Sequence, residues 1–287
     1  MLRAGYLYLI VALLCAPVFT LAQNDDSTPP AKPSPPKTRT DSKTGLEFVW
    51  IPEGSFLMGS STEEIKRLIR ENPEAEAFFQ AETPQHRMRV NGFWMSKNLV
   101  TVSQFSKYST ATLKPFDWEA RKPEWDWNSA HPMVHISWKE AKAYCEWAGG
   151  SLPSEAEWVY AAHGGDGAKR YPWGDYFESR LLQCSVGKAH FNPAPVGSFP
   201  PNRYGLYDMA GNVFQYCEDG YTQGYRVEIS KNPLPSPPPR TRSARGGSFL
   251  NSHESDFRCA ARYSTPYNHW DANFGFRVVL HEPVNRP

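Results

Sequence analysis

Net charge is nearly absent: 31 Lys and Arg stand against 30 Asp and Glu in 287 residues, a balance of +1. Such a chain has no global field with which to hold a nucleic acid or an anionic membrane. Cysteine is scarce, five in all, and one of them, Cys15, falls in the apolar N-terminus. No internal repeat is found, which excludes an architecture of stacked units. A sustained helical period is missing as well, and 26 Pro, 20 Gly and 14% aromatics do not suit a helical bundle. What is left is the composition of one large domain or two small ones, rich in loops and short strands pinned by Trp, Tyr and Phe.

The first 22 residues have the layout of a secretory signal: Arg3, then apolar Tyr6 to Leu21, then Ala22 before Gln23. An uncleaved membrane anchor is the alternative. Leu14 is too large for the position before a lipoprotein cysteine, so Cys15 is not read as one. Cleavage leaves Cys145, Cys184, Cys217 and Cys259, an even count that permits two disulfides in any of three connectivities, or free buried thiols. Residues 23–45 carry Pro29, Pro30, Pro33, Pro35 and Pro36 among Ser, Thr, Lys and Asp. That segment reads as an extended tether. The protein is expected to be exported, periplasmic or secreted, with no stable membrane insertion after cleavage, and to be a monomer.

A domain is expected over 46–282. Leu46 to Gly59 alternates strand formers around Pro52-Glu53-Gly54, a hairpin signal. Ser61 to Phe79 spaces Ile65, Leu68, Ile69 and Phe78 as a surface helix broken at Pro73. Arg87–Val90 and Phe93–Ser96 read as a second pair of strands. Capping boxes at Thr101–Gln104, Ser137–Glu140 and Ser154–Glu157 open three helices, ending near Tyr108, at Gly149-Gly150 and near His163. Residues 113–130, with Trp118, Trp125 and Trp127, read as an ordered aromatic loop. Pro233–Arg240 holds five prolines and reads as an exposed loop or a partner-binding polyproline segment. His131 and His135 are four apart, but Pro132, Val134 and Ile136 favour a strand over a helical metal pair.

The densest cluster of chemistry lies in Arg245-Gly-Gly-Ser-Phe-Leu-Asn-Ser-His-Glu-Ser-Asp-Phe-Arg-Cys-Ala-Ala-Arg262. Ser248, Asn251, His253, Glu254 and Arg258 put a hydroxyl, an amide, an imidazole, a carboxylate and a cation into one loop. His253 or Glu254 could serve as a general base; the alternative is a solvated loop. This stretch resembles the formylglycine-generating-enzyme, or sulfatase-modifying-factor, family. So do Phe48–Gly59, Glu82–Arg87, Pro132–Trp138, Tyr144–Gly149, Leu152–Trp158, Tyr171–Asp175, Gly205–Asn212 and Gly275–Arg277, in the same order. The resemblance implies an α+β fold, a C-type-lectin-like variant with little regular secondary structure.

Active members oxidise a cysteine of a target protein with dioxygen and copper held by two thiolates. Here the first thiolate position falls on Asn251 and the second near Ser255 or Asp256, in a shorter segment without cysteine. Soft thiolates select Cu(I), and hard oxygen donors hold it poorly. Copper and formylglycine synthesis are therefore not expected, and the catalytic metal is open. The resemblance also implies a structural calcium site: a carboxylate from Asp208, backbone oxygens from Ala210 or Gly211 and Val213, and the amide oxygen of Gln215 where Glu is usual. Calcium takes six to eight such oxygens; without it, Asp208 and Asn212 would cap a tight turn. Phe214 stands where a groove-lining Trp is usual, and Arg262 joins it in the expected substrate groove. In the resemblance the usual disulfide partners of Cys145 and Cys259 are absent, Val278 and a residue near Ala162 standing in their places; Cys184 and Cys217 flank the implied calcium region and are expected to form a bridge. Two functions are carried forward: an oxidoreductase-type maturation factor acting on a peptide or small molecule, and a non-catalytic lectin-like binding module of an envelope complex. Neither involves nucleic acid.

Overall fold

The computed structural model describes residues 36–165, 169–187, 192–226 and 240–282. The expected signal, most of the tether and nearly all of the Pro233–Arg240 run lie outside these residues. Strand structure is present within the expected tether. Strand β1 (Thr38–Thr40) pairs antiparallel with β2 (Glu47–Ile51), and Lys37 and Arg39 lie over the Trp94 ring. The last residues of the tether thus form an edge strand held partly by cation–aromatic contacts.

The hairpin expected at Leu46–Gly59 does not form. β2 pairs with β5 (Phe93–Ser96), while β3 (Gly54–Met58) pairs with β4 (His86–Val90) in a separate two-stranded ribbon. The Pro-Glu-Gly turn therefore passes the chain from one sheet to another. Gly54 is needed there because a Cβ would lie 2.1 Å from the Tyr160 hydroxyl. Between β3 and β4 come α1 (Thr62–Glu71), a 3-10 turn opening at Pro73, and α2 (Glu76–Gln80). The expected break at Pro73 is present, since proline removes a backbone donor and cannot continue α1. Ile65, Leu68 and Phe79 form a small core of their own beneath these helices.

All three capping boxes are present, opening α3 (Val102–Thr112), α4 (Trp138–Trp147) and α5 (Glu155–His163). Each cap satisfies backbone donors at a helix start and is worth about 1 kcal/mol. Helix α3 runs four residues past the expected end, to a left-handed cap at Leu113. The third sheet orders β6 (Phe214–Gly220), β7 (Thr241–Arg245), β8 (Tyr263–Pro266) and β9 (Phe274–Gly275) as β8-β7-β6-β9. The final strand, β10 (Val279–Leu280), returns to β5 and completes the first sheet.

Two apolar clusters fill the space between these sheets, one around Tyr144, Tyr216 and Phe276 and one around Met95, Trp158 and Cys217. Strand β6 supplies Tyr216 to the first and Cys217 to the second, as alternation along a strand with two buried faces requires. The mixed α+β architecture with modest regular secondary structure agrees with the sequence reading. Among the described residues no helix is long and apolar enough to cross a membrane.

Candidate functional site

Strand β7 delivers the chain to Arg245, and two glycines then turn it: Gly246 at φ 92° and Gly247 at φ 71°. Both angles are left-handed, and a Cβ on Gly247 would lie 2.8 Å from the Phe257 ring. The turn aims Ser248 inward, where it is fully buried. The Ser248 backbone N–H and Oγ both donate to Asn251 Oδ1 at 2.9 Å. Asn251 Nδ2 in turn donates to Asp256 Oδ2 at 2.8 Å. Asp256 belongs to a 3-10 turn, Glu254–Phe257, and its carbonyl accepts from the Tyr263 hydroxyl at 3.4 Å.

The polar run is therefore closed on itself by a serine–amide–carboxylate chain. The Ser248 hydroxyl is buried and committed to Asn251, which withdraws it as a nucleophile. Replacing Asp256 with Ala should cost about 1–2 kcal/mol by leaving the Asn251 amide short of a charged acceptor. Urea denaturation would measure it, and an unchanged midpoint would count against the bridge.

The other expected site residues separate into two groups. His253 and Glu254 are exposed on the rim of a depression of about 150 Å³, floored by Leu68 and Phe79 and flanked by Glu71 and Asn72. Arg258 faces inward: its two terminal nitrogens reach Glu82 at 2.8 and 2.6 Å, and Nε donates to the Ser255 carbonyl. Arg262 likewise donates to both oxygens of Glu155, at 3.1 and 2.9 Å, and to the Ala81 and Thr222 carbonyls. Phe214 is 7% exposed, with Tyr263 and Phe274 rings at 4.4 and 5.1 Å. The groove expected from Phe214 and Arg262 is thus packed interior.

Sequence reasoning missed the buried ionic centre beside this loop. Glu155, at the first position of α5, accepts from both Arg245 and Arg262. Burial alone would raise its carboxyl, but the two guanidinium groups outweigh that and hold it at about 2. Asp219 Oδ2 accepts the Glu155 backbone N–H at 2.7 Å. Burial, followed by the charge of Glu155, pushes Asp219 up to about 7. A glutamate just inside a capping box ordinarily faces water, so only the arginines hinted at this centre.

The calcium reading meets a different donor arrangement. The Asp208 carboxylate accepts from the Gly197 N–H at 2.8 Å and from Asn212 at 3.4 Å. Gln215 Oε1 accepts from Trp158 Nε1 and Arg277 Nε, and Gln215 Nε2 donates to the Asp208 carbonyl. The amide oxygen meant for the metal faces a guanidinium, which repels a cation, so the set formed with Ala210, Gly211 and Val213 does not fit calcium. The Cys184–Cys217 bridge is not formed either: the two sulfurs sit in different apolar clusters, and no disulfide joins them. His131 and His135 do not form a strand; His135 has φ 53°, and their rings go to different partners, Trp125 for His131 and Trp127 and Trp270 for His135. Among the described residues no group of three or more His, Cys, Asp or Glu is placed to hold a metal ion.

Short sheets, capped helices and long ordered loops define a C-type-lectin-like member of the formylglycine-generating class of folds. The chain belongs to the family described as the sulfatase-modifying factor enzyme 1-like domain, which matches residues 34–282. It is 32% identical to the formylglycine-generating enzyme of Streptomyces coelicolor, over 87% of this chain and 95% of that protein. It is 28% identical to the enzyme of that name from Bos taurus, over 88% of this chain and 77% of that protein. The solved structure of PvdO from Pseudomonas aeruginosa superposes with a TM-score of 0.71 and 25% identity, covering 86% of this chain and 98% of that one.

Proposed function

We propose that this chain is an exported family member that has lost the catalytic cysteine pair and works as a binding or accessory module of the cell envelope. The observation that carries the reading is the hydrogen bond from Asn251, where the resemblance puts the first thiolate, to Asp256, beside or at the Ser255–Asp256 position it implies for the second. An amide and a carboxylate bonded to each other present no soft donor for Cu(I). The neighbouring hydroxyl and both arginines are already committed, so what this loop offers outward is Leu250, Ser252, His253, Glu254 and the depression beside them.

Two measurements test this. Purified mature chain, mixed with a Cu(I)–bathocuproine complex and then with a cysteine peptide, should neither withdraw copper nor consume oxygen above buffer. Stoichiometric copper withdrawal with peptide oxidation would overturn the loss of chemistry. A photo-crosslinking residue at 253, expressed in the native cell, should trap a partner. One at Leu113, 88% exposed, should not. Equal yields from both positions would overturn the binding face.

A second reading, an oxidoreductase-type maturation factor acting on a peptide or small molecule, is favoured by one feature. His253 and Glu254 are a proton-accepting pair at the edge of an apolar-floored depression. It predicts oxygen uptake with a phenol or amine that Glu254→Gln abolishes; uptake unchanged in that variant would dispose of it.

A further inference from the structure

Gln215 is fully buried in β6, and each end of its amide meets groups that allow only one orientation. Trp158 Nε1 and Arg277 Nε can only donate, and they lie 2.9 and 2.6 Å from Oε1. The Asp208 carbonyl can only accept, and it lies 2.6 Å from Nε2. Hydrogen-bond chemistry therefore assigns the oxygen and nitrogen of this side chain without ambiguity.

A carboxylate at 215 would keep the bonds to Trp158 and Arg277. Its second oxygen would then face the Asp208 carbonyl, acceptor against acceptor, across about the 2.6 Å that the amide nitrogen now spans, with no positive end between them. The amide nitrogen supplies that positive end from within the chain. Little room is left for anything else: Gly246 packs against it so closely that a Cβ there would lie 3.3 Å from both Gln215 Nε2 and the Met209 carbonyl. The Asp208 carboxylate is already spent on Gly197 and Asn212.

We infer that the Gln215 amide nitrogen takes the place of the calcium ion that the resemblance implies, so that the 208–215 turn of this chain folds without metal. The turn supports the candidate site directly. Gly211 N–H donates to the Gly246 carbonyl and Phe249 N–H donates to the Asn212 carbonyl, both at 2.8 Å. The geometry of the 246–251 loop is consequently independent of calcium.

The test compares thermal midpoints of the mature chain in 1 mM EGTA and in 5 mM calcium chloride. Wild type should shift by less than about 1 °C between the two, whereas a ligand bound well above its Kd would raise the midpoint by several degrees. Gln215→Glu should melt about 5–10 °C lower than wild type in EGTA and regain none of that in calcium, because Arg277 still faces one carboxylate oxygen and the Asp208 carboxylate stays bonded to Gly197 and Asn212. Gln215→Ala should be destabilised equally in both buffers. A wild-type midpoint that rises by several degrees in calcium, or one bound calcium per chain after dialysis against EGTA, would overturn the inference. So would a Gln215→Glu variant that is no less stable than wild type in EGTA, or calcium rescue of either variant. If Gln215→Glu does not fold, the wild-type and Gln215→Ala measurements still decide.

Discussion

Replacing Glu155 with Ala is expected to destabilise the fold by about 3–5 kcal/mol at pH 7, the usual cost of breaking a buried ion pair from one side. Glu155 is 4% exposed and lies against two guanidinium groups, Arg245 fully buried and Arg262 at 2%. The variant strands both cations. Arg245 would retain the Cys259, Ala260 and Ala261 carbonyls and the Tyr225 hydroxyl, which neutralise no charge. At roughly 2–4 °C per kcal/mol for a domain of this size, the melting point should fall by about 10 °C. A loss below about 1 kcal/mol in urea would show that the centre is not ionic in the folded protein.

Its pH dependence has a definite sign. Glu155 is held at about 2 against an ordinary 4.5. Its contribution is therefore complete above about pH 4.5 and fades as pH falls toward 2, a loss of about 3 kcal/mol. Asp219 behaves oppositely. With its carboxyl at about 7 in the fold against an ordinary 3.8, the folded state binds the extra proton between those values, and stability falls as pH rises across them. His163 offsets part of that slope. Burial, and then Arg245, lower it to about 4, so its contribution rises with pH from 4 to its ordinary 6.5. Relative to wild type, Asp219→Asn should thus gain stability steadily from pH 4 to 7, because it keeps the acceptor for the Glu155 N–H and removes the titration. Parallel curves for the two proteins would count against a buried, perturbed Asp219.

The second large effect concerns Arg258. Arg258→Met should cost about 3–5 kcal/mol, since among the described residues Glu82, 1% exposed, would keep only the Ser60 hydroxyl as a side-chain donor. Met retains an apolar stem over the Phe79 ring, so the loss reports the ion pair more than the packing. Arg258–Glu82 ties the end of the 248–258 loop to the far end of the α1–α2 segment, so amide hydrogen exchange should accelerate in both. A catalytic Arg258 would instead leave the midpoint and exchange unchanged while abolishing turnover.

Much of the helical structure was legible because its signals are local. A capping box is a pair of hydrogen bonds between residues three apart, and all three were read correctly from that spacing. The Pro73 break is equally local. Strand pairing was not legible: Leu46–Gly59 has the pattern of a hairpin, yet its two strands find partners in different sheets. Periodicity reports which faces are buried, and the identity of the neighbour is decided by packing at a distance.

The candidate site divides in the same way. The glycine turn and the hard oxygen and nitrogen donors of Asn251 and Asp256 were legible in the sequence alone, because donor chemistry belongs to residue type. Only the tertiary structure decided that Ser248, Arg258 and Arg262 are committed inward. The partners of the two arginines lie 176 and 107 residues away. Likewise, only the fold placed Arg277 at the oxygen of Gln215 and the Asp208 carbonyl at its nitrogen, which turns an expected metal ligand into a hydrogen-bond bridge. A side chain carries its donors and acceptors in its formula, but which of them remain open to a ligand depends on what the fold brings into reach.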